Sequence, residues 1–117
     1  MKVHLIKAVT VINFAKEHAS SLKSFENWID KVNIADWETV NDVKRTFSTA
    51  DILGNRSNRI VFDVGGNNHR VICTYYFNEL VDTVTLFVKW IGTHGEYDKL
   101  CADNNQYTAE NFKNYER

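Results

Sequence analysis

Apolar residues in the first half of the chain recur every three or four positions, the period of a helix that buries one face. Ser20 and Ser21, both good helix caps, separate two such sets. The sets are Ala8, Val11, Ile12, Ala15 and Ala19, and then Leu22, Phe25, Ile29 and Val32. A shorter third helix is predicted to begin at Thr39, with Val40, Val43 and Phe47 buried. Val3–Ile6 is predicted to be an edge strand.

The second half changes to a period of two, which indicates β-strands. Three strands are predicted, at Arg59–Val64, Arg70–Phe77 and Thr83–Ile91, and Val84, Leu86, Val88 and Trp90 are expected on one face of the last. Gly65–Asn68 supplies a hairpin turn, and a second turn lies near Asn78–Asp82. The chain is therefore predicted to be an α+β protein, with the N-terminal helices packed on one face of a small antiparallel sheet.

The length of 117 residues suits one domain. We expect residues 1–100 to form that domain and residues 101–117, rich in Asn and other polar residues, to be a polar tail that is helical or disordered. No apolar run approaches the roughly 20 residues of a membrane span, and the first residues do not resemble a signal peptide. Cys73 and Cys101 are then expected to be reduced thiols in a cytoplasmic protein.

Charge restricts the kinds of partner that the chain can bind. The formal net charge is −1, with 14 Lys and Arg against 15 Asp and Glu. A protein that coats RNA through its general field carries a clear excess of positive charge. Any site for nucleic acid must therefore be a local cluster of cations.

The predicted turns bring scattered polar residues to one rim of the sheet. A turn at Gly66-Asn67 places Asp63 opposite Arg70, and a turn centred near Leu80 places Arg70 opposite Trp90. The residues expected to share this rim are Arg70, His94, Tyr97 and Lys99, with Asn67 and His69 close by. A guanidinium, an imidazole, a phenol and an ammonium together could bind a phosphate and move a proton beside it.

Each of these residues also has a structural interpretation. Arg70 could simply pair with Asp63 across the hairpin. His94 could cap a strand, Tyr97 could cover the sheet edge, and Lys99 could be a solvated loop charge. Local pattern alone leaves both interpretations open.

Other kinds of site are disfavoured by the spacing of their residues. The four His and two Cys do not occur at zinc-site spacings, so neither a metal nor another cofactor is predicted. Gly65-Gly66-Asn67 lacks the lysine of a phosphate-binding loop. No Ser or Cys lies in a nucleophile elbow.

Three motifs resemble those of HigB-type toxins, a branch of the RelE/ParE superfamily. Ile60–Ile72 resembles the signature V-F-N-[IV]-G-G-N-x-x-R-[LV]-[IV] of these toxins. Ile91–Lys99 resembles their ending G-T-H-x-E-Y-D-[KR], and Val43–Asp51 is similar to [LV]-[KR]-x-x-F-x-[ST]-A-D. The motifs occur in the family's order and cover most of residues 40–99.

The resemblance implies a RelE-like, microbial-RNase-like fold and a toxin of a type II toxin–antitoxin system. It implies ribosome-dependent cleavage of mRNA by attack of the 2′-hydroxyl without a metal, and so inhibition of translation. The implied partners are the ribosome, mRNA and a helix-turn-helix, HigA-like antitoxin, with operator DNA reached only through that antitoxin and no membrane involved.

The resemblance also implies roles for individual residues. Arg70 would hold the scissile phosphate, His94 and Tyr97 would do acid–base work in an order left open, and Lys99 would add a cation. The residues expected to contact RNA are Lys44, Arg45, Asn67 and His69.

Two residues depart from the family pattern. Asp63 stands where the signature often has Asn, and His69 stands where an aromatic residue or Lys is more usual. Asp63 adds a negative charge beside Arg70, and with the near-neutral net charge it could reduce activity. The alternative interpretation is a ParE-like toxin, or a non-catalytic binding module, that acts on a protein such as gyrase.

Overall fold

A computed structural model describes residues 1–116, which form a five-stranded sheet and four α-helices. The strands are Lys2–Ile6 (β1), Asp51–Ile52 (β2), Arg59–Val64 (β3), His69–Asn78 (β4) and Thr83–Thr93 (β5). The helices are Ala8–Glu17 (α1), Leu22–Ile34 (α2), Val43–Thr46 (α3) and His94–Ala102 (α4). Short 3-10 turns lie at Ala19–Ser21, Val40–Asp42 and Phe112–Tyr115. The predicted α+β class is confirmed.

The two N-terminal helices lie where the apolar period places them. α1 buries Val11 and Phe14, and α2 buries Phe25, Trp28 and Val32 against the sheet. The helical segment predicted after Thr39 is a 3-10 turn followed by the single turn of α3.

No helix within residues 1–116 combines the length and apolar character that a membrane crossing requires.

The sheet has the order β1-β5-β4-β3-β2 and is mixed, not wholly antiparallel as predicted. The β3-β4-β5 meander is antiparallel, as expected. β1 is an edge strand, as expected, but it runs parallel to β5. A parallel pair needs a long connection, which the helices and the first two strands of the meander provide here. β2 pairs with β3 over only two residues, too few to give a detectable period.

A β-bulge corrects the predicted register of β5. Ile72 faces Trp90 but Cys73 faces Val88, so Lys89 is an extra residue on β5. Trp90 is therefore turned to the opposite face from Val88, and the prediction that both lie on one face was wrong. For the same reason Arg70 lies opposite Gly92 and not opposite Trp90.

Both faces of the sheet are covered. The main core lies under α1 and α2, and its largest fully buried side chains include Phe14, Phe25, Trp37, Phe62 and Ile91. A smaller core on the other face consists of Val61, Ile72 and Trp90, against which Leu53, Tyr97, Leu100 and Ala109 pack. The N-terminal helices lie on one face, as predicted, while α4 lies on the other.

Residues 103–116 are anchored to the rest of the chain. Arg59 is buried and donates from Nη1 to the carbonyls of Gln106 (3.3 Å) and Ala109 (2.8 Å). Asn111 bonds through its side-chain amide to both the N–H (2.9 Å) and the C=O (2.8 Å) of Ile91. Phe112 is buried. The boundary expected at residue 100 falls inside α4.

Candidate functional site

Arg70 lies on β4, and its guanidinium is held by neighbours on three sides. Nε pairs with Asp63 Oδ1 at 3.0 Å, and Nη1 donates to the His69 carbonyl at 3.1 Å. Nη2 donates to Asn67 Oδ1 at 2.7 Å and to His94 Nδ1 at 3.2 Å. These contacts use four of the five N–H groups of arginine, and the residue is only 9% exposed. The guanidinium is therefore fixed in position before any ligand arrives.

The pairing of Arg70 with Asp63 follows from the hairpin register, which is as predicted. The ion pair that the structural interpretation of Arg70 predicts is present, and it involves the same guanidinium that the phosphate-binding interpretation requires. The carboxylate balances the guanidinium charge, so the pair presents little net charge to a ligand. Asp63 is the more exposed partner, with 28% of its side chain accessible.

The start of α4 places His94 beside Arg70. Thr93 caps the helix: its N–H donates to Glu96 Oε1 (2.8 Å) and its hydroxyl accepts from the Glu96 N–H (3.2 Å). This reciprocal capping box fixes the first turn. The His94 N–H donates to the Asn68 carbonyl (2.9 Å), which ties the helix start to the β3–β4 turn.

The contact with Arg70 determines which nitrogen of His94 carries the proton. A guanidinium can only donate, so Nδ1 must offer a lone pair, and the proton of a neutral imidazole lies on Nε2. Nε2 is 3.2 Å from Asp98 Oδ2, one turn further along α4. With 44% of its side chain exposed, His94 presents this proton towards the solvent side of the rim.

Gly92 leaves space for Trp90 in the strand opposite Arg70. A Cβ at residue 92 would lie 2.5 Å from Trp90 Cη2 and 2.8 Å from its Cζ2. The indole therefore lies across the strand at this position, and any larger residue would displace it. The hydrophobic floor of the rim depends on this glycine.

Tyr97 packs on that floor, with its ring centroid 6.2 Å from that of Trp90. Burial raises the pKa of the Tyr97 phenol, and a hydrogen bond with the Cys101 thiol raises it further. The phenol therefore stays protonated at neutral pH and can donate a hydrogen bond but cannot act as a base. Lys99 is exposed on the same helix.

The structure brings the His69 carbonyl to this cluster but not the His69 side chain. Consecutive strand residues point to opposite faces, so His69 faces the main core while Arg70 faces the rim. The His69 ring lies 5.5 Å from that of Phe14 and 5.3 Å from those of His18 and Phe25, and it is 6% exposed. Burial, and secondarily His18, lower its pKa.

Lys44 and Arg45 lie on α3, outside the Arg70 cluster. Both are exposed, and Arg45 Nη2 forms an ion pair with Asp42 Oδ1 at 2.7 Å. Asn67, in contrast, is part of the cluster through its contact with Arg70. Of the eight residues singled out from the sequence, three are joined by hydrogen bonds between their side chains: Arg70, His94 and Asn67.

Comparison with known proteins identifies the family. The model of the family HigB_toxin, described as the RelE-like toxic component of a toxin–antitoxin system, matches residues 21–100. The matched segment contains the hairpin, Arg70 and most of α4. The chain belongs to the HigB toxin family. It is also 30% identical over 109 residues to the mRNA interferase HigB of Escherichia coli O6:H1 (strain CFT073). The aligned region covers 93% of this chain and 98% of that protein.

Membership of the HigB family confirms the resemblance drawn from the three motifs and makes the chain a toxin with a cognate antitoxin as partner. In this HigB-family chain, the motif residues Asn67, Arg70 and His94 meet at one end of the sheet.

Sequence reasoning missed Trp90, Gly92 and Asp98 as parts of the site. A signal was available for two of them. Gly92 immediately precedes the capping box, and Asp98 follows His94 at helical spacing.

Proposed function

We propose that this chain is a metal-independent endoribonuclease that cuts mRNA on the ribosome and so inhibits translation. The observation that carries the proposal is the hydrogen bond from Arg70 Nη2 to His94 Nδ1, which joins a fixed cation to a partly exposed imidazole. The name of the E. coli relative, an mRNA interferase, supports the same activity. A ribosomal site of action places the protein in the cytoplasm.

In this proposal Arg70 binds the scissile phosphate and the charge that builds on it during 2′-hydroxyl attack. The phosphate takes the place of Asn67, which lies in the exposed β3–β4 turn and can move away from Nη2. The 2′-oxygen forms a bond to phosphorus while its proton passes to solvent water, and the bond from phosphorus to the 5′-oxygen breaks. The products are a 2′,3′-cyclic phosphate and a free 5′-hydroxyl.

His94 serves as the proton donor to the leaving 5′-oxygen in its imidazolium form, because a neutral imidazole is too weak an acid to give up its N–H proton. Formation of the imidazolium places a proton on Nδ1, so the contact with Arg70 Nη2 opens first and Nε2, the nitrogen near Asp98, transfers its proton. Tyr97 donates a hydrogen bond within the site, since its phenol stays protonated. The exposed cations Lys44, Arg45 and Lys99 contact the backbone of mRNA or ribosomal RNA.

The antitoxin partner is proposed to be a helix-turn-helix protein of the HigA type. Operator DNA is then reached through that antitoxin and not by this chain. A near-neutral toxin is consistent with this division, because the long-range field for DNA binding would come from its partner.

The test is induced expression of the wild type, Arg70→Ala and His94→Ala, with Lys113→Ala as an exposed control that is not among the contacts of Arg70 or His94. We expect the two rim variants to relieve growth arrest and the control to stay toxic. Mapping of mRNA 5′ ends should show cuts with free 5′-hydroxyls inside translated frames. Intact mRNA with DNA damage would favour a gyrase-directed toxin, and full cleavage by both rim variants would refute the assignment.

A further inference from the structure

A groove runs beside the β3–β4 turn and ends at the Arg70 cluster. It consists of two adjoining hollows of about 220 and 440 Å³, between α2, the segment after α3 and the turn. Both are lined by Lys31, Phe47, Asp63 and Gly66, so they form one continuous surface. We call this surface the hairpin groove.

The walls of the hairpin groove combine an aromatic ring with a cation. Phe47 is held by its neighbours, with ring centroids 5.1 Å from that of Phe62 and 6.4 Å from that of Trp28. Lys31 Nζ lies 6.0 Å from the centroid of the Phe47 ring. Because Lys31 is exposed and flexible, a base could displace it from the ring, since base stacking is worth more than an exposed cation–π contact.

The remaining lining is polar and supplies donors and acceptors for a nucleotide. Ser24 and Asn27 line one hollow, and Ser48 and Thr49 line the other. Single-stranded RNA is bound in proteins by this combination of aromatic faces, cations and hydrogen-bonding groups. An apolar protein segment would leave these polar groups without partners, so the composition favours RNA.

The groove is continuous with the rim through two residues. Asp63 and Asn67 line it, and both also contact the Arg70 guanidinium. A strand whose scissile phosphate lies on Arg70 therefore has the groove as its next contact surface.

We propose that the hairpin groove binds the nucleotide next to the scissile phosphate, with its base on Phe47 and its phosphate at Lys31. The proposal rests on the proposed ribonuclease function, which supplies the single-stranded RNA. On this proposal Phe47 and Lys31 determine where the mRNA is cut.

The variants are Phe47→Leu, which keeps apolar volume but removes the aromatic face, and Lys31→Ala. Lys23→Ala is the matched control, since it removes an exposed lysine from the same helix but lies outside the groove. Thermal melts confirm that each variant folds. On ribosome-bound mRNA we expect cleavage to fall about tenfold for Phe47→Leu and several-fold for Lys31→Ala, with an altered set of cut sites and no change for Lys23→Ala.

A second measurement separates failure of the groove from failure of the ribonuclease function. A 2′-O-methyl RNA trinucleotide, which cannot be cleaved by this route, is titrated into wild type and variants and followed by intrinsic tryptophan fluorescence, to which Trp28 in the groove contributes together with Trp37 and Trp90. Weaker binding by Phe47→Leu and Lys31→Ala supports the groove even where no mRNA is cut. Wild-type RNA binding and cleavage by both variants overturns the proposal. Loss of antitoxin binding with unchanged RNA binding also overturns it, because the groove would then bind protein.

Discussion

Replacement of Asp63 by Asn tests directly how Arg70 meets a phosphate. The carboxylate lies 3.0 Å from Arg70 Nε, and only 10% of the arginine side chain is exposed. Asn keeps an oxygen that can accept from Nε, so the guanidinium should stay in place. The change therefore removes charge and preserves geometry.

The expected gain can be calculated from the charge alone. A carboxylate about 7 Å from a phosphate charge repels it by roughly 0.6 kcal/mol in water and by roughly 2.4 kcal/mol at an effective dielectric constant of about 20. Since about 1.4 kcal/mol is a factor of ten in affinity, Asp63→Asn should strengthen phosphate binding about 3- to 60-fold. The weaker hydrogen bond should lower the free energy of unfolding by about 1 kcal/mol.

The assay is single-turnover cleavage of ribosome-bound mRNA at increasing salt. We expect Asp63→Asn to cut faster than the wild type at low toxin concentration, with the difference shrinking as salt screens the charge. Asp30→Asn changes the net charge equally at an exposed position on α2 and should have no effect. Cleavage that is unchanged or slower in a stably folded Asp63→Asn variant would refute the reasoning, because the carboxylate would then act by orienting Arg70.

Three further changes test the supporting structure. Gly92→Ala places a Cβ 2.5 Å from the Trp90 ring, so thermal melts should show a loss of roughly 1–3 kcal/mol together with lower toxicity; an unchanged melting temperature would contradict this packing. Burial lowers the pKa of His69, so its contribution to stability is present above about pH 6.5 and is lost as the pH falls from there towards the lower folded pKa. The melting temperature, measured between about pH 8 and pH 5, should therefore fall less steeply with falling pH for His69→Phe than for wild type. Parallel curves for the two proteins would count against a lowered pKa of His69. Asn111→Ala leaves two buried backbone groups of Ile91 unpaired at roughly 1–3 kcal/mol each, measured by urea unfolding against exposed Asn114→Ala; equal stability of the two variants would argue against this anchor.

Much of the fold could be predicted because its elements bury one face. α1, α2 and the meander show clear periods, since the core takes every third or fourth residue of a helix and every second residue of a strand. No residue of α4 is buried, so its sequence shows no apolar period from which the helix could be predicted. Its sequence signal is local: Thr93 and Glu96 have the spacing of a capping box.

The site was predictable only where a turn fixes the register. Gly65–Asn68 sets β3 against β4, so the pairing of Asp63 with Arg70 followed from counting residues. The partner of Arg70 on β5 could not be found by counting residues, because the bulge at Lys89 shifts the register by one. Hydrophobic pattern cannot reveal such a bulge when the residues on either side, Val88 and Trp90, are both apolar.

That bulge links the C-terminal segment to the site. The Asn111 backbone N–H donates to the carbonyl of Lys89, the extra residue, at 2.9 Å, and the Asn111 side chain bonds to Ile91 just beyond it. The bulge in turn places Gly92 opposite Arg70 and begins α4 where His94 reaches the guanidinium. Residues 103–116 therefore support the geometry of the Arg70–His94 pair, although they lie on the far side of β5 from β4 in the pairing order. Loss of Asn111 should consequently reduce toxicity more than its effect on stability alone predicts.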